Sequence, residues 1–297
     1  MTWPRIITAM VTPRGDTGNV DNTRAAALAR HLWEHGSGGF VLAGSTGEAY
    51  ALSLDERRGL FESVRAAVPL TVPIWMGTGT NNTDDTVRLT EAADHWGVDG
   101  VLVVTPYYNR PNQEGLIEHF FHIVDATGSS VMVYNVPTRT GVSLLPRSMA
   151  EIAHHASQPI AIKEASANLD AIVELRRYLT DAVPVYSGDD SLWLPSMMAG
   201  AYGVVSVAAH VVGDEMARAL SYLLDGHWTM AMEEHRRLWP IFKALFLDSN
   251  PIPVKWLLNQ LGLPVGPVCL PLLTPEKTDW SQTLWDAYQT IKIPSVG

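Results

Sequence analysis

Pro159-Ile160-Ala161-Ile162-Lys163 is a short apolar run that stops abruptly at an amine. Its residues are continuously apolar rather than alternating, which is the pattern of a parallel strand buried on both faces. Seven further runs of this kind recur along the chain: Arg5 to Val11, Gly39 to Ala43, Val72 to Met76, Gly100 to Val104, Val131 to Asn135, Val183 to Ser187 and Gly203 to Val207. Amphipathic segments separate them, such as Asn22 to His35 and Leu54 to Val68, with Asp21 and Ser53 placed to cap their first turns. Eight strand-then-helix units predict an α/β protein, a (β/α)8 TIM barrel.

A tail follows the eighth unit. His227 to Leu247, Pro253 to Leu261 and Thr278 to Ile291 read as three helices, punctuated by Asn250-Pro251, Gly262 and Pro264. The expected organisation is a catalytic barrel over residues 1–224 and a C-terminal three-helix extension over 225–297 that serves assembly.

Composition excludes several function classes. The chain has 297 residues, 46% hydrophobic and 18% charged, enough for a large core and unlike a disordered chain. A net charge of −10 argues against a nucleic-acid phosphate partner. Cys269 is the single cysteine, so an internal disulfide and a cysteine-built metal site are both ruled out. No apolar run reaches membrane-spanning length. The start Met1-Thr2-Trp3-Pro4-Arg5 shows no charged segment followed by an apolar stretch, so the expectation is a cytoplasmic protein without a signal peptide.

Unusual residues collect after the strand ends, where this fold builds its active face. They are Gly44-Ser45-Thr46-Gly47-Glu48, Gly77-Thr78-Gly79-Thr80-Asn81, Thr105-Pro106-Tyr107-Tyr108-Asn109-Arg110-Pro111, Tyr134-Asn135-Val136-Pro137 with Arg139, Lys163, and Ser187-Gly188-Asp189-Asp190. A lysine whose surroundings disfavour the ammonium form can attack a ketone and form a Schiff base. Taken alone, Lys163 reads first as a rim residue paired with a carboxylate, and its place at the sixth strand end among hydroxyls and an arginine reverses that reading. Tyr134, one strand back, can pass protons to and from the addition intermediates. Ser45 and Thr46 offer hydroxyls and amides to a carboxylate, and Arg139 offers a planar fork. His31-Leu32-Trp33-Glu34-His35 fits a zinc-peptidase pattern. It lies late in the first helix, toward the supporting face, and reads as an ordinary helix ending.

Together these motifs, with Val11-Thr12-Pro13, Ile162-Lys163-Glu164-Ala165-Ser166 and Asn250-Pro251-Ile252-Pro253-Val254-Lys255-Trp256, resemble the 4-hydroxy-tetrahydrodipicolinate (dihydrodipicolinate) synthases of the N-acetylneuraminate lyase superfamily of class I pyruvate aldolases. The resemblance covers almost the whole chain. It implies that Lys163 forms an imine with pyruvate, whose enamine attacks aspartate-4-semialdehyde, and that Tyr134 donates and accepts protons. Ser45 and Tyr108 would complete a relay, Tyr108 reaching in from a neighbouring subunit of a homotetramer built as a dimer of dimers. Thr46 and Val205 would line the pyruvate site, and Arg139 would hold the carboxylate of the second substrate. The family's chemistry uses no metal and no organic cofactor. Ser45-Thr46 departs from the synthases' usual Thr-Thr toward the sialic acid lyases, while Asn109-Arg110-Pro111 and Arg139 follow the synthases. A lyase for a sialic acid or a 2-keto-3-deoxy sugar acid is the nearest rival, and a catalytically idle barrel the rival of another class.

Lysine-inhibited relatives use histidines early in the second helix, where this chain has Leu54-Asp55-Glu56-Arg57, although Asn81, Asp85 and Tyr107 remain available to such a site. The expected outcome is weak or absent inhibition by lysine. Half-inhibition by sub-millimolar lysine in a steady-state assay would contradict it.

Overall fold

The computed structural model describes residues 3–274 and 278–292. The first two residues of the Met1-to-Arg5 start, and the end of the extension at 293–297, lie outside the described residues. Eight parallel strands form a closed barrel in chain order: β1 (Ile6–Ala9), β2 (Gly39–Leu42), β3 (Ile74–Gly77), β4 (Gly100–Val104), β5 (Ser130–Asn135), β6 (Ile160–Glu164), β7 (Val185–Ser187) and β8 (Gly203–Ser206). The helices between them are α1 (Asn22–Glu34), α2 (Leu54–Ala67), α3 (Thr83–Trp96), α4 (Gln113–Asp125), the short α5 (Pro137–Thr140), α6 (Pro146–His155), α7 (Leu169–Tyr178), α8 (Trp193–Met198) and α9 (Ala209–Leu224). The TIM barrel expected from the sequence is the fold observed.

β3 and β7 each begin two residues later than their apolar runs, for one reason. Pro73 and Pro184 precede β3 and β7, and a proline has no N–H to give the ladder. Each still accepts through its carbonyl, from Phe40 N at 3.0 Å and from Ile162 N at 2.9 Å. Helix starts follow the caps read in the sequence. The Asp21 side chain accepts from Arg24 N, and Ser53 with Glu56 forms a complete capping box on α2.

Alternate residues of every strand point inward. Ile7, Val41, Trp75, Met132, Ala161 and Val205 fill the barrel as a core separate from the shell between strands and helices. The N-terminal end of the barrel is plugged. Trp3 stacks on Trp75 at 5.3 Å, and the hydroxyls of Tyr186 and Tyr202 donate to the carbonyls of Pro4 and Trp3. The C-terminal end is left open for polar loops.

The chain leaves α9 at Asp225-Gly226 and builds α10 (Trp228–Ala244), α11 (Ile252–Gln260) and α12 (Ser281–Lys292). Trp280 lies edge-on to Trp256 and donates to Asp248, tying the start of α12 to α11 and to the end of the α10 region. Lys255 of α11 is fully buried and donates to Glu48 Oε1 at 2.5 Å and to the Pro267 carbonyl at 2.8 Å. The other Glu48 oxygen accepts from Cys269 N. This pair clasps the extension to the loop after β2. No helix among the described residues is long and apolar enough to cross a membrane.

Removing one partner of such a pair strands a buried charge. Lys255→Met is expected to lower unfolding stability by about 3–5 kcal/mol, and adding Glu48→Gln to restore much of it. Urea unfolding of the single and double variants measures both.

Candidate active site

Lys163 is the fourth residue of β6 and shares the inward register of Ala161. Barrel pairing sets it beside Tyr134 of β5 and Tyr186 of β7. Its amine rests over the Tyr134 ring, 4.2 Å from the centroid. The loop after β7 closes over the side chain. A methyl group on Gly188 would lie 2.5 Å from Ala165 Cβ and 3.1 Å from Lys163 Cε, and the first of these contacts requires a residue without Cβ there.

Electrostatics follow from that placement. Burial pushes the Lys163 amine down to about 7, with Asp190 pulling it upward and Arg139 pushing it further down. A large share of the amine is therefore unprotonated near neutral pH, the state needed for attack on a carbonyl. Burial raises the Tyr134 phenol, while the Arg139 charge and a hydrogen bond with Ser45 pull it back. The phenol thus stays protonated and is linked to one hydroxyl of the glycine turn.

That turn is shaped by strain and close approach. Ala43 is left-handed at φ 50°, and its carbonyl lies where a Cβ on Gly77 would be, 2.0 Å away. Ser45 then faces Tyr134, while the buried Thr46 hydroxyl accepts from Asn250 Nδ2 at 2.8 Å. The Asn250 carbonyl accepts in turn from Arg139 at 3.2 Å. Asn250 thereby fixes both Thr46 and Arg139. The sequence marks it as part of a motif yet assigns it no position in the site. Asp190 was likewise visible only as the end of Ser187-Gly188-Asp189-Asp190.

A cavity of about 520 Å³ opens at this end of the barrel, lined in part by Ser45, Tyr134, Arg139, Asn250, Tyr107 and Leu272. Thr46, Lys163 and Val205 are not on its wall. Lys163 is only 6% exposed and packs against the Tyr134 ring, and Val205 points into the barrel core from β8. Tyr108 stands apart from the others. It is 89% exposed, left-handed at φ 77°, and joined to α5 through its backbone N–H and the Thr140 carbonyl. Its ring does not line the cavity of its own chain.

His31 and His35 face each other at the end of α1, ring centroids 4.3 Å apart, and His35 Nδ1 lies 2.7 Å from Asp214 Oδ2. Among the described residues no group of three or more His, Cys, Asp or Glu side chains is arranged to hold a metal ion.

The chain is similar to known proteins over nearly its whole length. The sequence pattern of the Dihydrodipicolinate synthetase family matches residues 2–291. The 4-hydroxy-tetrahydrodipicolinate synthase of Desulforamulus reducens is 45% identical over 269 residues, 91% of either chain. That of Moorella thermoacetica is 46% identical over 273 residues, 92% of this chain and 93% of the relative. The crystal structure of the dihydrodipicolinate synthase of Cyanidioschyzon merolae with lysine bound superimposes with a TM-score of 0.94 at 39% identity, covering 97% of this chain and 98% of that one. Dihydrodipicolinate synthase from Bacillus anthracis gives 0.94 at 38% identity over 99% of both chains. The molecule is a lyase of the class I aldolase type on a (β/α)8 barrel. It belongs to the dihydrodipicolinate synthetase family.

The depressed amine gives a direct pH signature. Labelling of Lys163 by a small amine-reactive reagent should be half-maximal near pH 7 and fall below it, as the ammonium form takes over. Peptide mapping after labelling across a pH series measures the midpoint.

Proposed function

We propose that this enzyme condenses pyruvate with L-aspartate-4-semialdehyde through an imine on Lys163. The product is 4-hydroxy-tetrahydrodipicolinate, on the route to diaminopimelate and lysine. The observation that carries the reading is the amine of Lys163, buried against Tyr134 at the sixth strand end, in a chain 45% identical to an enzyme of that name.

The neutral amine adds to the ketone carbon of pyruvate and loses water to give the protonated imine. Tyr134 supplies and removes protons at these stages, its phenol kept protonated by burial. Loss of a methyl proton gives the enamine, whose carbon attacks the aldehyde. The substrate's own amine then closes on the imine carbon and frees Lys163. Ser45 carries protons between Tyr134 and the cavity, with Tyr108 of a second subunit as the outer member of the relay. Thr46 and Val205 shape the pyruvate end. Arg139, fixed by Asn250, holds the second substrate's carboxylate. No organic cofactor or metal takes part. Residues 1–224 act as the catalytic barrel and 225–297 as the assembly extension of a cytoplasmic homotetramer.

The apolar stretch of the cavity wall, which includes Leu52, Val136 and Leu272, suits a short aldehyde better than a polyol chain. Borohydride reduction with pyruvate should place the adduct on Lys163, and the enzyme should consume aspartate-4-semialdehyde. Lys163→Ala should abolish trapping. Tyr134→Phe should slow turnover roughly 100-fold without lowering thermal stability, and Tyr108→Phe should impair turnover without removing trapping. A trapped adduct with turnover only on sugar acids would redirect the reading to the sugar-acid lyases.

A further inference from the structure

The strand ends that turn Lys163 and Tyr134 into the barrel turn their next residues outward, and both of those are polar. Glu164 and Asn135 face each other across the β5–β6 ladder as register partners, 3% and 1% exposed. Two residues earlier on the same outward face, Val133 and Ile162 belong to the apolar shell under the helices. A carboxylate and an amide in such surroundings are costly unless they are paired.

Their pairing reaches across the active face. The Asn135 amide nitrogen donates to Glu164 Oε2 at 2.9 Å, and the Ser166 backbone N–H donates to Oε1 at 2.6 Å. Both carboxylate oxygens are thus engaged by uncharged donors. Asn135 Oδ1 accepts from Leu144 N at 3.0 Å, which fixes the orientation of the amide. The backbone continues the ladder past the same residues, with Ala165 N donating to the Asn135 carbonyl at 2.9 Å and Gly188 N to the Glu164 carbonyl at 2.7 Å. Several parts of the site therefore meet here. Lys163 and Tyr134 are chain neighbours of the pair, Leu144 lies in the stretch that follows α5 and its Arg139, and Gly188 lies in the loop over the Lys163 side chain.

We propose that Glu164 and Asn135 are a positioning pair for the condensation, locking the ends of β5 and β6 from the outside and so holding the Lys163 amine over the Tyr134 ring on the inside. Successive side chains of a strand alternate faces, so a slip of one residue at either end would carry the amine or the phenol out of the barrel. Smaller shifts matter as well, because amine and phenol must reach neighbouring atoms of one bound keto acid. Neither Glu164 nor Asn135 touches those atoms. The inference rests on the imine chemistry proposed above and adds two residues that act through Lys163 and Tyr134. A merely structural pair would affect stability and leave the chemistry of the folded enzyme unaltered.

A double-mutant cycle in the full-length enzyme separates the two roles. Glu164→Ala, Asn135→Ala and the double variant are compared by borohydride trapping of pyruvate at Lys163 and by steady-state turnover, at a temperature where thermal melting shows each to be folded. Each single variant should lower the trapping rate and kcat about tenfold and leave KM for pyruvate little changed. The double variant should be no slower than the singles, because the same device is broken once. Folded variants that trap and turn over at the unaltered rate would overturn the proposal, as would losses that multiply in the double variant. Glu164→Gln decides the case in which the alanine variants do not fold. Its amide oxygen can still accept from Asn135, while its NH2 group meets the Ser166 N–H donor to donor. It should turn over several-fold more slowly at little-changed KM, and full-rate turnover would count against the pair. Absence of trapping in the unaltered enzyme would instead reject the imine mechanism itself.

Discussion

Taking the Lys163 amine out of water is the constraint around which the active face is arranged, because an ammonium ion loses more hydration there than the barrel interior returns. The β6 register turns the side chain inward beside Tyr134, and Gly188 lets the next loop close over it. The two charges that reach the amine, Asp190 and Arg139, act in opposite directions. Desolvation therefore dominates, and the amine titrates near 7 instead of in the usual lysine range. A rigid base is needed for this. The stacked Trp3 and Trp75, with the tyrosine hydroxyls bonded to backbone carbonyls, close the far end of the barrel.

A second buried lysine makes the contrast plain. Lys255 is as deeply enclosed as Lys163, yet its amine donates to Glu48 and to the Pro267 carbonyl, while Cys269 N satisfies the other carboxylate oxygen. Direct hydrogen bonding makes that amine a structural link. Lys163 rests on an aromatic face and leaves its nitrogen for chemistry. The two residues differ in their partners and not in their burial, so burial alone does not identify a reactive lysine.

The same distinction governs what the sequence reveals. Strands are legible because burial on both faces demands continuous apolar runs, and their ends err where prolines such as Pro73 and Pro184 withhold a donor. Lys163, Tyr134, Ser45 and Arg139 are legible as residues that polar chemistry explains better than folding does. Asn250 and Asp190 are not. Asn250 is over a hundred positions from Arg139 and acts only through tertiary contacts, and Asp190 meets the β8 turn through backbone amides that carry no side-chain signature. Tyr108 is recognisable only by resemblance, since nothing in its own chain gives the exposed ring a partner in the cavity.

The departure at Ser45 can be weighed on the same physical terms. Threonine is stiff about χ1, and serine at this position gives up that stiffness. Here the hydroxyl has a fixed neighbour, because Ser45 faces the Tyr134 phenol, which is itself enclosed by the barrel. Its neighbour Thr46 is held by Asn250, and the turn is pinned by the left-handed Ala43 lying against Gly77. With backbone and acceptor both fixed, the entropy of one small side chain is the main loss, at most about 1 kcal/mol by comparison with longer side chains. For the proposed relay the hydroxyl matters more than the methyl group. Serine at this position is therefore compatible with the condensation of a keto acid and a short aldehyde.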